Sequence, residues 1–273
     1  SQDWRYYLPL DKDTETLLVG PQIGDLAMRL TDYTDRLTVA CPVLEAAQLI
    51  RKRSVALDRE IRVVHAEGVP DFPFPADSFE VVIVTRPVSG MIIHQNTEGS
   101  ANRDDLKALL GDIKAKIRPG GTLFIACENS TTLSWATVTA ARSAGHDLLP
   151  EDRDSALSMH TRDRSHRLPF VRIATGDLSK TLESIGFGNI RLYAPVPDAI
   201  RPKAVLPLDH KGAVYYFLDH LVRRTTPAAR SAIRAAKLAL SLGFFTSAMP
   251  FLYATARKPG SDSGSEKAGT SGT

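Results

Sequence analysis

The sequence predicts an α/β fold in which a mostly parallel sheet is wound on both faces by helices. Two observations support this fold class. Short apolar runs alternate with helical patterns over the first two-thirds of the chain. Each run is rich in Val, Ile and Leu with few polar interruptions, which is typical of strands buried on both faces. The chain has 273 residues, 43% of them apolar, and is long enough to form one domain with a full core.

Seven strands are predicted in chain order. Five lie in the alternating part, at residues 16–20, 36–40, 61–66, 79–85 and 122–127, and two follow near residues 189–194 and 249–257. Helices are predicted near residues 24–32, 42–56 and 101–117, and the second has Pro42 in its first turn, where a missing N–H costs little. A later helix is predicted to begin at a Thr175 or Asp177 cap and to stop at Gly186.

The predicted strands and helices suggest one domain with additions. Residues 1–14 lead in, residues 15–258 form the domain, and the small, polar residues 259–273 are predicted to be a disordered tail. Two segments, about 130–170 and 195–247, are predicted to be helical cap insertions near the carboxyl ends of the strands. The second contains a helix that begins at Thr226 and Pro227.

The charge of the chain bears on its binding partners, and its cysteines bear on its cellular compartment. The net charge of +3 demands no nucleic acid, but ten Lys and Arg between residues 201 and 258 face only two Asp. This basic region is interpreted either as the solvated edge of a cap helix or as a surface for a membrane or an anionic substrate. Cys41 and Cys127 end apolar runs without metal-ligand spacing, which favours buried free thiols, no metal site and a cytoplasmic location. We expect no signal peptide, and no run reaches the roughly 18 apolar residues of a membrane span.

A glycine loop follows the first predicted strand, in the stretch TLLVGPQIGDLAMRL. A phosphate-binding P-loop would need a lysine after its second glycine, and none follows Gly24. A dinucleotide fold would need G-x-G-x-x-G and an acid at the end of the second strand. Here Gly20 and Gly24 are separated by three residues, and the second strand ends in Ala40 and Cys41. The sequence therefore disfavours NAD.

Two further stretches complete a recognisable order: FPFPADSFE at residues 72–80, before the fourth strand, and RPGG at residues 118–121, before the fifth. With the glycine loop they resemble the class I S-adenosylmethionine-dependent methyltransferases over about residues 15–130. The resemblance implies a Rossmann-like sheet with an antiparallel last strand, S-adenosyl-L-methionine as cofactor and transferase activity. Asp77, Pro119 and Gly120 are expected to serve mainly as structural turns.

The resemblance also implies which residues hold the cofactor. They lie in the glycine loop, at the end of the second strand, and after the third and fourth strands: Gly20, Pro21, Gln22, Gly24, Cys41, Glu67, Gly68, Val69 and Thr85. Three positions depart from the family. Cys41 replaces the acid that accepts both ribose hydroxyls, Gln22 replaces a glycine, and Leu18 replaces an acid in the first strand. Either Gln22 or Glu45 contacts the ribose instead, or cofactor binding has been lost.

Methyl transfer requires few catalytic groups, because much of its acceleration comes from aligning donor and acceptor. A base is needed only when the acceptor must lose a proton. His94 is the candidate, since it follows the fourth strand, although an exposed loop histidine is the alternative. Glu128 and Asn129 follow the fifth strand, and His160 and His166 lie in the first insertion.

The predicted function is methylation, at oxygen, of a small molecule, a glycan or a secondary metabolite, with a lipid-linked substrate included among these. A non-catalytic binding or scaffold protein of the same fold is the first alternative, because of Cys41 and Gln22. A nucleic-acid methyltransferase is the second alternative, because of the basic region. Aromatic residues are sparse there, which disfavours base stacking. The oligomeric state is open.

Overall fold

The computed structural model describes residues 7–20, 24–66, 72–85, 103–129, 172–196, 204–222 and 251–260, together with residues 234, 237, 238, 241, 243 and 249. Its strands are β1 (Thr16–Val19), β2 (Leu37–Cys41), β3 (Arg62–His65), β4 (Phe79–Val84), β5 (Ile117–Asn129), β6 (Arg172–Ile173), β7 (Gly188–Val196), β8 (Ala204–Pro207) and β9 (Phe251–Arg257). Its helices are α1 (Asp25–Leu30), α2 (Leu44–Ala56), α3 (Arg103–Lys116), α4 (Thr175–Ser184) and α5 (Lys211–Val222).

All the described strands belong to one sheet, ordered β3-β2-β1-β4-β5-β9-β7-β8, with β6 paired to β5 outside this path. The strands β1 to β5 run parallel to one another. Strand β9 lies between β5 and β7 and runs antiparallel to both. The predicted doubly wound, mostly parallel sheet with an antiparallel last strand is therefore confirmed.

The predicted number of seven strands is wrong, because the described residues contain nine. The two additional strands are short: β6 has two residues and β8 has four. An apolar run of this length is too short to be distinguished from a loop by its sequence pattern. Strand β8 lies within the second predicted insertion and extends the sheet beyond β7.

Hydrophobic side chains fill both faces of the sheet because successive residues of a strand point to opposite sides. On β1, Leu17 and Val19 pack in a cluster that includes residues of α3 and α4. Leu18 points to the other face and packs with residues of α1 and α2. All four residues of β1 are buried, as expected for a central parallel strand.

Two helix starts differ from the predictions. Helix α2 begins at Leu44 with Val43 as its N-cap, so Pro42 precedes the first turn. Helix α4 begins at Thr175 after Ala174 as its N-cap, with no side-chain cap. Differences of one or two residues are common at helix ends, because the terminal turns fray. The stop at Gly186 is confirmed by its left-handed backbone, with φ of 84°.

Residues of the FPFPADSFE and RPGG stretches form hydrogen bonds at the amino edge of the sheet. This is the edge where the parallel strands begin, opposite their carboxyl ends. The Lys258 ammonium donates hydrogen bonds to Asp77 Oδ1 at 2.6 Å, Lys114 O at 3.1 Å and Ile117 O at 2.6 Å. Gly120 has a φ of 78° and its N–H donates to Lys258 O at 2.9 Å. Asp77 lies in the turn before β4, as predicted. Gly120 lies within β5, which begins at Ile117 and so includes the RPGG stretch that was predicted to precede it.

The described parts of the predicted lead-in and second insertion pack against the sheet edge. Leu8 is buried, and the Tyr7 ring lies 4.4 Å from the Tyr193 ring, centroid to centroid. Helix α5 contributes Val214 and Leu218 to a small cluster with residues of β7 and β8. The first insertion lies outside the described residues, as do residues 197–203, most of residues 223–250 and the tail after residue 260.

Candidate functional site

A topological switch point lies between β1 and β4, because β2 and β3 extend the sheet from β1 while β5 extends it from β4. Val19 pairs with Val84 in this parallel ladder. The residues that follow, Gly20 and Thr85, therefore leave adjacent strands at the same level of the carboxyl edge. Ligands of open α/β sheets bind in the crevice at such a point. The structure thus brings together two of the predicted cofactor residues.

Gly20 turns the chain out of β1 at this edge. Its φ of 71° is in the left-handed region, which glycine adopts without steric cost. Its N–H donates to Ala40 O at 3.0 Å, which ties the start of the loop to β2. Thr85, which directly follows the neighbouring strand β4, is half-buried. Pro21 and Gln22 lie outside the described residues.

Gly24 closes the loop for a reason that the sequence did not reveal. It is the N-cap of α1 with a φ of 87°, and a Cβ there would lie 2.7 Å from Ile50 Cγ1 on α2. The Gly24 carbonyl accepts a hydrogen bond from the Met28 N–H at 2.9 Å. Helix packing thus requires glycine at this position, whatever the loop binds.

Cys41 is the last residue of β2 and is only 1% exposed. Its Sγ lies 3.4 Å from Val43 O, to which the thiol donates. Burial raises the pKa of the Cys41 thiol, and the contact with the Val43 backbone opposes this effect more weakly. Cys41 and Cys127 are both buried thiols, as predicted. At this position the chain presents a neutral thiol where the resemblance implies a carboxylate.

The remaining sequence candidates divide into three groups. Leu18 is fully buried in the core, and Glu45 is exposed on α2. Asn129 is fully buried, and its Nδ2 donates to Met249 O at 2.8 Å, which links β5 to the segment before β9. Six candidates lie outside the described residues: Glu67, Gly68, Val69, His94 and the insertion histidines His160 and His166. Within the described part of the chain, no group of three or more His, Cys, Asp or Glu could hold a metal ion.

The basic region is less uniform than its sequence suggests. Lys237 pairs with Asp219, Arg257 donates to Gly120 O at 2.8 Å, and Lys258 bonds Asp77. Arg257 and Lys258 therefore belong to the amino edge of the sheet, away from the candidate site. Lys211 and Arg234 are exposed. Among the described helices, none is long and apolar enough to cross a bilayer.

At the carboxyl edge, the backbone of Gly20 is compatible with a ligand beside the loop, whereas Cys41 differs from the residue that the resemblance implies at the end of β2. The left-handed Gly20 lets the backbone turn away beside Thr85 and leaves the switch point free of its own side chain. At the end of β2, however, the buried Cys41 supplies no acceptor for the hydroxyls of a nucleoside.

No family model and no curated protein matches the sequence. Among solved structures, the chain is similar to a possible histamine N-methyltransferase, S-adenosylmethionine-dependent, from Thermotoga maritima (11% identity, TM-score 0.50, 94% of this chain and 86% of that one). It is also similar to a phosphoethanolamine N-methyltransferase from Haemonchus contortus in complex with S-adenosylhomocysteine (12% identity, TM-score 0.52). That match covers 93% of this chain and only 51% of the Haemonchus protein.

A third similar structure is an S-adenosylmethionine-dependent methyltransferase from Archaeoglobus fulgidus, at 12% identity and a TM-score of 0.51. The match covers 93% of this chain and 91% of that one, so the likeness extends over nearly the whole of both molecules. Similarity at these identities establishes architecture, which agrees with the strand order and the antiparallel β9 described above. The chain has the fold of the class I S-adenosylmethionine-dependent methyltransferases.

Proposed function

We propose that this chain binds S-adenosyl-L-methionine at the carboxyl edge between β1 and β4 and is a methyltransferase. One observation carries the proposal: Gly20 and Thr85 leave neighbouring strands in register at the switch point of a sheet with this strand order. The three similar structures are named as methyltransferases, and one contains S-adenosylhomocysteine. These names support the choice of ligand class.

The proposed acceptor is an oxygen of a small molecule, a glycan or a secondary metabolite, with or without a lipid. Thr85-Arg86-Pro87 follows β4, where amino-directed nucleic-acid enzymes of this fold carry an Asn-Pro-Pro-Tyr-type motif. Two of the similar proteins are named for amine substrates, so nitrogen is the competing acceptor atom. A cytoplasmic location and contact of the basic region with a membrane remain predictions.

His94 is proposed as the base for a hydroxyl acceptor. The bound cofactor supplies a methyl group on a positively charged sulfur, and the chain has to hold the acceptor in line with it. We predict that His94→Gln lowers kcat for a hydroxyl acceptor roughly 10²- to 10⁴-fold, the usual contribution of a positioned base. Affinity for S-adenosylhomocysteine, measured by calorimetry, should not change. Equal kcat values for native and variant protein would remove His94 from the mechanism.

Thermal unfolding in the presence of two nucleotides tests the ligand class. At one hundred times its dissociation constant, a ligand adds about 2.7 kcal/mol of stability. For a chain of this size, that corresponds to a rise in Tm of about 5–10 °C. We predict such a rise with S-adenosylhomocysteine and none with NAD at the same concentration. A rise with NAD alone would show that the glycine loop was assigned to the wrong cofactor.

A further inference from the structure

Helix α2 and its two capping residues carry a cluster of exposed apolar side chains. Of the eight large hydrophobic residues that are exposed in the described part of the chain, five lie between residues 43 and 57. They are Val43, Leu44, Leu49, Val55 and Leu57, and Val55 is 82% exposed. A single exposed apolar residue is ordinary, whereas a contiguous apolar patch marks an interaction site.

The helical period places most of this cluster on one side of α2. The buried residues of the helix are Ala47, Ile50 and Ser54. With 3.6 residues per turn, the opposite side presents a continuous row of exposed residues. We define the α2 stripe as Leu44, Glu45, Leu49, Lys52, Val55 and Ala56. It mixes apolar residues with one acidic and one basic residue.

A shallow depression of about 380 Å³ lies at the carboxyl-terminal half of α2. It is lined by Arg51, Lys52, Val55 and Ala56. The Arg51 guanidinium donates to Val63 O at 2.8 Å, which holds this side chain against β3. Four residues around a depression on a helix form the kind of hole that accepts a side chain of a facing helix. The depression therefore suits an apolar side chain from a second helix.

The α2 stripe is complementary to a second copy of itself in the antiparallel direction. Glu45 near its start and Lys52 near its end have opposite charges and are separated by about two helical turns. In an antiparallel pair of α2 helices with the two-fold axis beside Leu49, each Glu45 lies opposite Lys52 of the other copy. In the same register, Leu44 of each copy lies over the depression beside Val55 of the other.

We propose that the α2 stripe is the interface of a homodimer in which two α2 helices pack antiparallel about a two-fold axis. Such an interface uses one self-complementary patch, as this stripe is. The Glu45 and Lys52 pairs set the register, and the apolar residues supply the contact area. The proposal concerns a surface other than the carboxyl edge of the sheet, so it does not depend on the proposed function.

The size of the stripe predicts how strong the dimer is. Helix α2 has 13 residues and is therefore only about 20 Å long. A standard protein interface has roughly 20–30 residues on each side, which is several times the size of the stripe. We expect a weak, reversible dimer with a dissociation constant on the order of 10–100 μM.

Sedimentation equilibrium of native protein and charge variants tests this arrangement. Native protein at about 100 μM should be a mixture of monomer and dimer. Glu45→Lys and Lys52→Glu each place like charges opposite one another, so each should weaken the dimer at least about tenfold. The double variant with both substitutions restores opposite charges and should return the dissociation constant to within about threefold of native.

Glu60→Lys is the matched control, because it makes the same charge change at an exposed residue outside the stripe. It should leave the association unchanged, and thermal unfolding of each variant shows whether it is folded. If Glu45→Lys does not fold, Lys52→Glu compared with Glu60→Lys still decides the question. Native protein that stays monomeric up to about 500 μM would overturn the inference and leave the stripe to a partner of another kind. A dimer that the single variants do not weaken, or that the double variant does not restore, would also overturn it.

Discussion

Gly24 and Gly111 differ in the space that is available for the methyl side chain of an alanine at each position. A Cβ at Gly24 would lie 2.7 Å from Ile50 Cγ1 and would have to adopt a φ of 87°, whereas a Cβ at Gly111 in α3 meets nothing within 4 Å. We predict that Gly24→Ala lowers the free energy of unfolding by about 1–3 kcal/mol, through overpacking and strain. Gly111→Ala should raise it by about 0.5–1 kcal/mol. Denaturant unfolding of both variants measures these changes, and equal effects would contradict the packing described for Gly24.

Cys41 is expected to make the stability of the fold decrease at alkaline pH. Because the pKa of its thiol is raised in the folded state, the unfolded chain loses this proton at a lower pH than the folded chain. Stability is therefore retained below about pH 8.5 and decreases as the pH rises above that value. We predict a shallower decrease in Cys41→Ser than in the native protein, measured by denaturant unfolding between pH 7 and 10. Parallel profiles would show that Cys41 does not contribute.

At the scale of single residues, the sequence predicted which residues matter better than the contacts that make them necessary. The buried state of Cys41 and Cys127 followed from their place at the ends of apolar runs. The sequence could not show that Gly24 is required by Ile50, since that contact joins two helices 26 positions apart along the chain. Nor could it show that the Cys41 thiol is engaged by Val43. Such contacts depend on tertiary packing.

At the scale of elements, Lys258 joins the end of β9 to α3 and to the turn before β4. Its side chain is only 18% exposed, and its ammonium donates to one carboxylate and two carbonyls. We predict that Lys258→Ala lowers the free energy of unfolding by about 1.5–3 kcal/mol, the range for hydrogen bonds to charged groups. Denaturant unfolding provides the measurement.

Lys12→Ala is the matched control for this prediction. Lys12 also pairs with an aspartate, Asp35, at 2.9 Å, but both side chains are more than half exposed. An exposed ion pair contributes little, so this variant should change stability by less than about 1 kcal/mol. Equal losses for Lys12→Ala and Lys258→Ala would show that the carbonyl contacts of Lys258 do not stabilise the edge.

Long apolar runs predicted their strands well, and short or capped elements were predicted less accurately. The run at residues 79–85 became β4 with one residue fewer. By contrast, β8 has four residues and exists because it pairs with β7, which a local pattern does not reveal. Pro42 favoured an earlier start for α2 than the observed start at Leu44, a difference of the size that is common at helix ends.

At the scale of the whole molecule, the parallel direction of β1 to β5 could be predicted, because alternating strands and helices permit few topologies. The antiparallel direction of the last strand, β9, came from the family resemblance and is confirmed; its position between β5 and β7 was not predicted. The site was predicted in outline only: Gly20 and Thr85 come together, while the roles of Gln22, Glu67 and His94 remain predictions. A loop side chain has no periodic pattern from which its position could be derived.

The most direct test of the central claim is calorimetric titration with S-adenosylhomocysteine of the native chain and two variants. Thr85→Tyr fills the switch point, and Gln48→Tyr adds the same ring on the exposed side of α2. We predict a dissociation constant of roughly 1 μM, about −8.2 kcal/mol, for native protein and Gln48→Tyr, and at least a tenfold weaker value for Thr85→Tyr. No binding to folded native protein at millimolar ligand would contradict the account and favour a non-catalytic protein with this fold.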